Sequence, residues 1–287
     1  MFNEVTTASA SSGELVAAEI VSRLVIDAAY AGAVMPPLVR VADISGDGTL
    51  SVEFPKWPLL AASDLTEALD LTNTAVNTTS ALVNADEAGI MITVTDMLLN
   101  GAGLGGLEPF AGELGKALAN KIDFDILAAV SDFTSSVGTS GALLTEADFL
   151  SAIYQLEAGN AKGPFVAVLH PYQVSNLRKA IAGSGGTVWG GPVAPADNIG
   201  ALGALYGIDI VQSTNCASVN LNVDRQGVMM PLGNQSGLAY VLKVGAKTEF
   251  QRDASLRATE IIVTAIYGQG CVNPAANGGV KIITKHE

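Results

Sequence analysis

Charge is scarce in this 287-residue sequence: 15% of residues are Asp, Glu, Lys or Arg, against 49% apolar. A freely soluble monomer usually carries about 25% charged residues, so much of the surface reads as covered by neighbours. Basic residues are the scarcer sign, 15 against 28 acids, for a net charge of −13. The missing basic stripe argues against sequence-specific nucleic-acid binding and against docking on anionic lipid. Cys216 and Cys271 have no metal-type spacing, and His170 and His286 are too few for a protein metal cage. Buried thiols are expected rather than a disulfide. No apolar run approaches the ~20 residues of a membrane helix. No basic residue precedes Arg23 and no apolar core follows the start, so the N-terminus does not read as a signal peptide. Synthesis in the cytoplasm is the expectation.

What charge there is lies unevenly. Between Val41 and Gly115 there are eleven acids and one basic residue, Lys56, while the remainder holds seventeen acids and fourteen bases. Just beyond Gly115 the clearest periodicity of the chain is under way. In LGGLEPFAGELGKALANKIDFDILAAVSDF (104–133), apolar residues recur at Leu107, Phe110, Leu114, Leu118, Ile122, Ile126, Val130 and Phe133. This spacing predicts one buried face of a long helix. Pro109 suits its first turn, and Glu108 and Glu113 complement its positive end.

Before this spine, residues 13–30 have helical spacing, ended by Met35-Pro36-Pro37. Leu38–Ile44 and Thr49–Phe54 read as strands around the turn Ser45–Gly48, and Ala81–Val83 and Ala88–Asp96 as further β structure. Together residues 38–98 suggest a long two-stranded loop with no core of its own, which needs something to lie on. Beyond the spine, TEADFLSAIYQLEAG opens on a capping-box variant, Thr145-x-x-Asp148. Pro164–Leu169 is a short buried strand, and His170-Pro171 leads into a helix. Gly183–Gly207 reads as loop. Strands are expected at Ile208–Gln212, Leu221–Asp224, Gly227–Pro231, Leu238–Phe250, Leu256–Tyr267 and Val280–Thr284. The interleaving gives an α+β fold.

Several motifs imitate functional sites. Gly101-x-Gly103-x-x-Gly106 matches a dinucleotide fingerprint, but the acid it needs about twenty residues on falls at Asp123 and Asp125, inside the spine. A hinge is the better reading. Asp43-x-Ser45-x-Asp47-Gly48 opens like a calcium loop, yet its twelfth position is Phe54 and its flanks read as strands. No Gly-x-Ser-x-Gly elbow exists, neither cysteine has an evident histidine partner, and His170 reads as a structural residue at a strand end. Asp123 and Asp125 face different sides of a helix. Neither catalytic, cofactor-binding nor metal-binding residues are assigned, and the chain does not read as an enzyme.

The order of parts resembles a tailed-bacteriophage major capsid protein, a fold shared with encapsulin shell proteins. The resemblance rests on architecture and on two phrases, Leu169-His170-Pro171 with Leu177 following, and Tyr267-Gly268 ahead of Gly279-Val280-Lys281-Ile282. It implies an N-terminal arm at 1–35, an extended β-loop at 36–103 and a peripheral domain at 104–165 with the spine helix. An axial domain follows at 166–239, and peripheral return strands at 240–287. It also implies hexameric and pentameric capsomers in an icosahedral head shell around double-stranded DNA, with a separate scaffolding protein and a portal as partners and a decoration protein as a further candidate. Virion location, no cofactor, no membrane and no sequence-specific nucleic-acid binding complete the expectation. An encapsulin-like nanocompartment is the alternative. In some relatives a loop lysine is welded to an asparagine of a neighbour beside a glutamate, for which Lys56, Asn273 or Asn277, and Glu260 are the candidates here. A plain ion pair of Lys56 across the subunit boundary is the favoured reading. The acidic loop is expected either to meet a neighbour's Arg178, Lys179 or Arg252 or to stay in solvent.

Overall fold

Two β-sheets share one long helix in the computed structural model, which describes residues 22–57, 60, 62, 64, 75–101, 108–183 and 201–286. Of the segments read from sequence, residues 1–21, most of 58–74, the glycine stretch 102–107 and residues 184–200 lie outside that set. The sequence is helical at 22–32 (α1), at Asp96–Gly101 (α2) and at Glu108–Ala128 (α3), the expected spine. Over its 21 residues α3 spans roughly 30 Å. The chain then tightens into a 3₁₀ turn at Ala129–Asp132. Of the expected stripe, Leu114, Leu118, Ile122, Ile126, Val130 and Phe133 are buried, Phe110 is partly buried and Leu107 lies outside the described residues; Ala111 joins the buried face.

The first sheet runs β1 (Arg40–Asp43), β11 (Leu238–Asp253), β12 (Ala258–Cys271), β4 (Asp86–Thr95). β1 is parallel to β11, while β12 pairs antiparallel with both β11 and β4. Along β12 the alternate residues Ile261, Val263, Ala265 and Tyr267 are buried and join the spine's core, as a strand's two-residue period requires.

The second sheet is seven-stranded. Its path is β5 (Ser136–Val137), β13 (Val280–Lys285), β10 (Asp224–Pro231), β6 (Phe165–Leu169), β8 (Ile208–Gln212) and β7 (Ala201–Leu205), with β9 (Ala217–Val219) also on β10. Val166, Val168, Val228 and Met230 face the spine. Ala167, Leu169, Met229 and Ile282 face the helices α4 (Glu146–Ala158) and α5 (Pro171–Gly183). Cover on both faces explains why β6 reads as an unbroken apolar run. The capping box of α4 forms as read, Thr145 and Asp148 each accepting from the other's backbone N–H. Gln173, fully buried near the start of α5, donates to Arg225 O, Ile282 O and Thr284 Oγ1, and accepts from His170 N–H. One side chain thereby ties the strand-to-helix corner to two neighbouring strands.

The structure corrects the sequence reading in three places. Residues 38–98 are not one two-stranded loop: β1 and β4 belong to the first sheet. Among the described residues of this segment, β2 (Ser51–Lys56) and β3 (Thr79–Asn84) alone form a two-stranded ribbon. Gly183–Gly207 is not all loop, since β7 occupies its end. Leu221–Asp224 is not a strand. Asn220, Leu221 and Asn222 all have left-handed backbones, φ 53°, 57° and 68°, and turn the chain from β9 into β10. A leucine in that region costs about 1–2 kcal/mol.

Ile126 is fully buried, whereas Leu118 and Ile122 border a cavity of about 270 Å³ between α1, α3 and the first sheet. Side chains beside a void have fewer contacts to lose. In chemical denaturation Ile126→Ala should therefore fall at the upper end of the ~2–5 kcal/mol range for such truncations, and Leu118→Ala at the lower end. Equal losses, or a smaller one for Ile126→Ala, would contradict this placement.

Candidate functional site

Chain order leads first to the ribbon β2–β3. Its base is fixed: Phe54 and Val83 are buried against Ala239, Val241 and Val272, and the Arg40 guanidinium lies 4.8 Å from the centre of the Phe54 ring. The ribbon crosses the end of β12 where Gly268 and Gly270 stand. A Cβ at Gly268 would run into the Asn84 backbone, and one at Gly270 would lie 3.2 Å from Val83 Cγ2. Away from this anchor the ribbon is bare. Leu82 is 62% exposed and Trp57 70%, and Leu60 and Val76 of the adjoining acidic segment are exposed too. An apolar surface of this kind on a charge-poor chain marks a contact face.

Lys56 closes the ribbon opposite Thr79. Asn273 and Asn277 lie beyond the far end of β12 and bond to each other, Asn273 Nδ2 donating to Asn277 Oδ1 at 2.9 Å. The Asn273 Oδ1 atom is buried with no partner. Glu260 stands near the start of β12, paired with Gln251 and Thr93. Thirteen residues of extended chain separate it from Asn273, roughly 40 Å. One chain therefore does not bring the asparagine and glutamate candidates together.

The second region is the crossing of α1 over the spine. Gly115 makes the approach possible: a Cβ there would lie 2.6 Å from both Ala28 Cβ and Val25 O. Past α1, Asp123 reaches from the spine to the turning chain. Its Oδ1 accepts from Val34 N–H at 3.1 Å and Met35 N–H at 2.8 Å, and its Oδ2 from Val34 N–H at 3.0 Å. The residue is buried, and burial raises its pKa above the ordinary carboxylate value although both backbone donors pull it down. Asp125, two residues on, faces elsewhere as expected, pairing with Lys121 and accepting from Tyr267 Oη. Nothing in the residues around Asp123 announces this role, because its partners lie 88 and 89 residues away.

The calcium-loop lookalike is a turn. Asp43 Oδ1 accepts from Ser45 N–H at 2.9 Å, and the Lys243 ammonium donates to the carbonyls of Ile44 and Asp47. A lysine on the loop's own carbonyls opposes a cation there. Among the described residues no group of three or more His, Cys, Asp or Glu is placed to hold a metal. Both cysteines are free, and burial pushes Cys216 to about 12 and Cys271 to about 11, which keeps them unreactive. The two histidines are neighbours, ring centres 5.1 Å apart, with His170 Nδ1 accepting from Tyr172 N–H. Arg252 is engaged within its own chain, in a two-bonded pair with Asp96 at 2.7 and 2.6 Å. That use takes it from the residues expected to meet a neighbour's acids. Arg178 and Lys179 are exposed on α5.

A third region surrounds Asp224. It accepts from Ser140 Oγ at 2.5 Å, Gly141 N–H at 2.9 Å and Asn220 Nδ2 at 2.6 Å. Burial alone would raise its pKa, but the three donors together outweigh burial and lower it. The carboxylate joins the loop ahead of α4 to the left-handed turn between β9 and β10.

No protein-family model matches the sequence, and no curated protein does. Solved structures match over most of the chain. A structure from Mycobacterium phage Che8 superposes with a TM-score of 0.64 at 23% identity, covering 83% of this chain and 87% of that one. The head structure of Helicobacter pylori bacteriophage KHP40 gives 0.67 at 10% identity, covering 90% and 91%. A virus-like particle from Pyrococcus furiosus gives 0.61 at 13%, covering 92% and 98%. The chain shares the fold of these structures.

Asp123 predicts a pH signature. Its folded pKa lies above the unfolded value near 3.9, so the folded chain takes up the proton first. The stability this adds is complete below the unfolded value and is lost as pH rises through the folded one. The melting temperature of the parent, taken relative to Asp123→Asn, should therefore decline from pH 4 to pH 7. A difference that is flat or grows with pH would show that the carboxylate is not held in this buried setting.

Proposed function

We propose that the chain is a major capsid protein that self-assembles into hexamers and pentamers and builds an icosahedral head shell around viral double-stranded DNA. The observation carrying this reading is the likeness in fold, over 83–90% of the chain, to a phage Che8 structure and the KHP40 head. The exposed ribbon and the low charge support it, since both suit a subunit whose burial is completed by neighbours. In this reading residues 1–35 are an arm along an adjacent subunit, and the ribbon within 36–103 is the extended loop lying over another. Residues 104–165 and 240–287 make up the peripheral domain and 166–239 the axial domain, with β13 linking the two. The role is structural and not enzymatic, its place is the virion, and synthesis is in the host cytoplasm. A portal and a separate scaffolding protein are the further partners, with a decoration protein as a possible addition. The acidic balance suits a container that holds DNA without gripping it.

A second reading, an encapsulin-like nanocompartment, is favoured by the likeness to the Pyrococcus furiosus particle over 92% of the chain. Negative-stain microscopy of the purified chain, alone and with the products of neighbouring genes, tests both. Closed shells support the two shell readings, DNA filling in the presence of a portal selects the capsid, and a permanent monomer overturns both.

Deleting residues 59–79 should leave folded subunits that do not close into shells, measured by sedimentation and microscopy. Normal shells from the deletion would make the loop dispensable. Boiled, denatured shells should run as one band near 29.3 kDa, because Lys56 makes an ion pair rather than a covalent bond. A ladder of multimers abolished by Lys56→Ala would reverse that expectation.

A further inference from the structure

The hairpin turn between β9 and β10 places a strained residue where its own chain gains nothing from it. Asn220, Leu221 and Asn222 are consecutive left-handed residues. Asparagine enters that region readily, but leucine does not. Leu221 is nonetheless 98% exposed, so no packing within the chain offsets its conformation.

The turn is also firmly held. Val223 N–H donates to Asn220 O at 3.2 Å, and His286 N–H to Val223 O at 2.8 Å. Ser218 Oγ donates to Asn222 Oδ1 at 2.7 Å, and Asn220 Nδ2 to Asp224 Oδ2 at 2.6 Å. Strained backbone persists where surrounding contacts over-determine it, and such positions cluster at functional sites. Beyond the flanking asparagines two apolar residues are exposed as well: Val223 at 46%, and Leu143 at 48% on the loop that Asp224 holds. The one carboxylate in the turn, Asp224, is buried and spent on its three donors.

We infer that Leu221 is a pre-set apolar knob that docks on a second copy of this chain. The inference rests on the shell reading, and a second copy is the occupant that reading supplies at every subunit boundary. The chain's scarcity of charge leaves apolar surface available on that copy to receive it. A knob on one surface meeting a different surface of the next copy is a heterologous contact, the kind that closes into rings. A fixed turn suits this role because the leucine then loses little freedom on docking.

The test exploits opposite signs. Leu221→Gly and Leu221→Asn relieve the left-handed strain and remove the knob. Below the concentration at which shells form, each should melt about 2–4 °C higher than the parent. The same variants should need about tenfold more protein, or more, to assemble by light scattering and negative-stain microscopy. Leu221→Met, which keeps an apolar side chain, should assemble at close to the parent's concentration. If the glycine and asparagine variants assemble as the parent does, the knob is overturned and the shell reading stands. Variants that melt lower than the parent also overturn it, because Leu221 would then serve the fold. A parent that never assembles removes the shell reading and this inference with it.

Discussion

The apolar stripe of α3 is in contact with both sheets at once, and each sheet would have an uncovered face without it. From Leu114 to Phe133 its residues meet Ile261, Val263 and Tyr267 of the first sheet, and Val166, Val228 and Met230 of the second, in one continuous core. Each fully buried side chain of this size contributes about 1.5–3 kcal/mol. Ion pairs among the described residues include Lys116–Glu113, Lys121–Asp125, Lys247–Glu249 and Arg252–Asp96, all at least partly in solvent. Pairs of that kind contribute about 0–1 kcal/mol each. The helix seam sets the architecture, and the charges adjust its surface.

Within that frame three buried polar side chains hold the places where the chain changes direction. Asp123 satisfies two backbone N–H groups where α1 gives way to Pro36 and Pro37. Gln173 fixes the corner from β6 to α5. Asp224 fixes the turn from β9 to β10. A buried donor left without a partner costs about 1–3 kcal/mol, so each of these side chains removes a penalty that packing could not. The result is a chain whose corners are pinned by buried hydrogen bonds while its ribbon and turn tips project into solvent.

Local patterns were legible and distant partners were not. The spacing of Leu114, Leu118, Ile122 and Ile126 announced the spine because a helix face is written within the helix itself. Thr145 and Asp148 announced α4 for the same reason. β4 showed its alternation through Ile90, Ile92 and Val94, yet its partner is β12, and β1 pairs with residues about two hundred positions away. Adjacent strands invite reading as a hairpin, and that inference failed between β1 and β2. Leu221 and Val223 alternate as in a strand, but the flanking asparagines, both at ease in the left-handed region, were the true signal. Of the exposed end of the ribbon, Lys56 and Trp57 stood out by composition. Asp123 and Asp224 did not, since a buried carboxylate looks like any other in sequence.

The charge distribution and the exposed apolar tips point to the same physical conclusion. Copies carrying −13 each repel one another at a distance, but beyond about 8–10 Å physiological salt screens that repulsion. Inside that range short contacts decide, and the exposed apolar side chains include Trp57 and Leu82 on the ribbon and Leu221 on the turn. A chain with 15% charged residues has few ion pairs to offer its neighbours. It can match them through shape, which rigid projections provide at little cost in entropy. Long-range repulsion then discourages random aggregation, while contacts that seat these side chains correctly overcome it. Under the shell reading proposed above, that combination favours ordered closure over collapse.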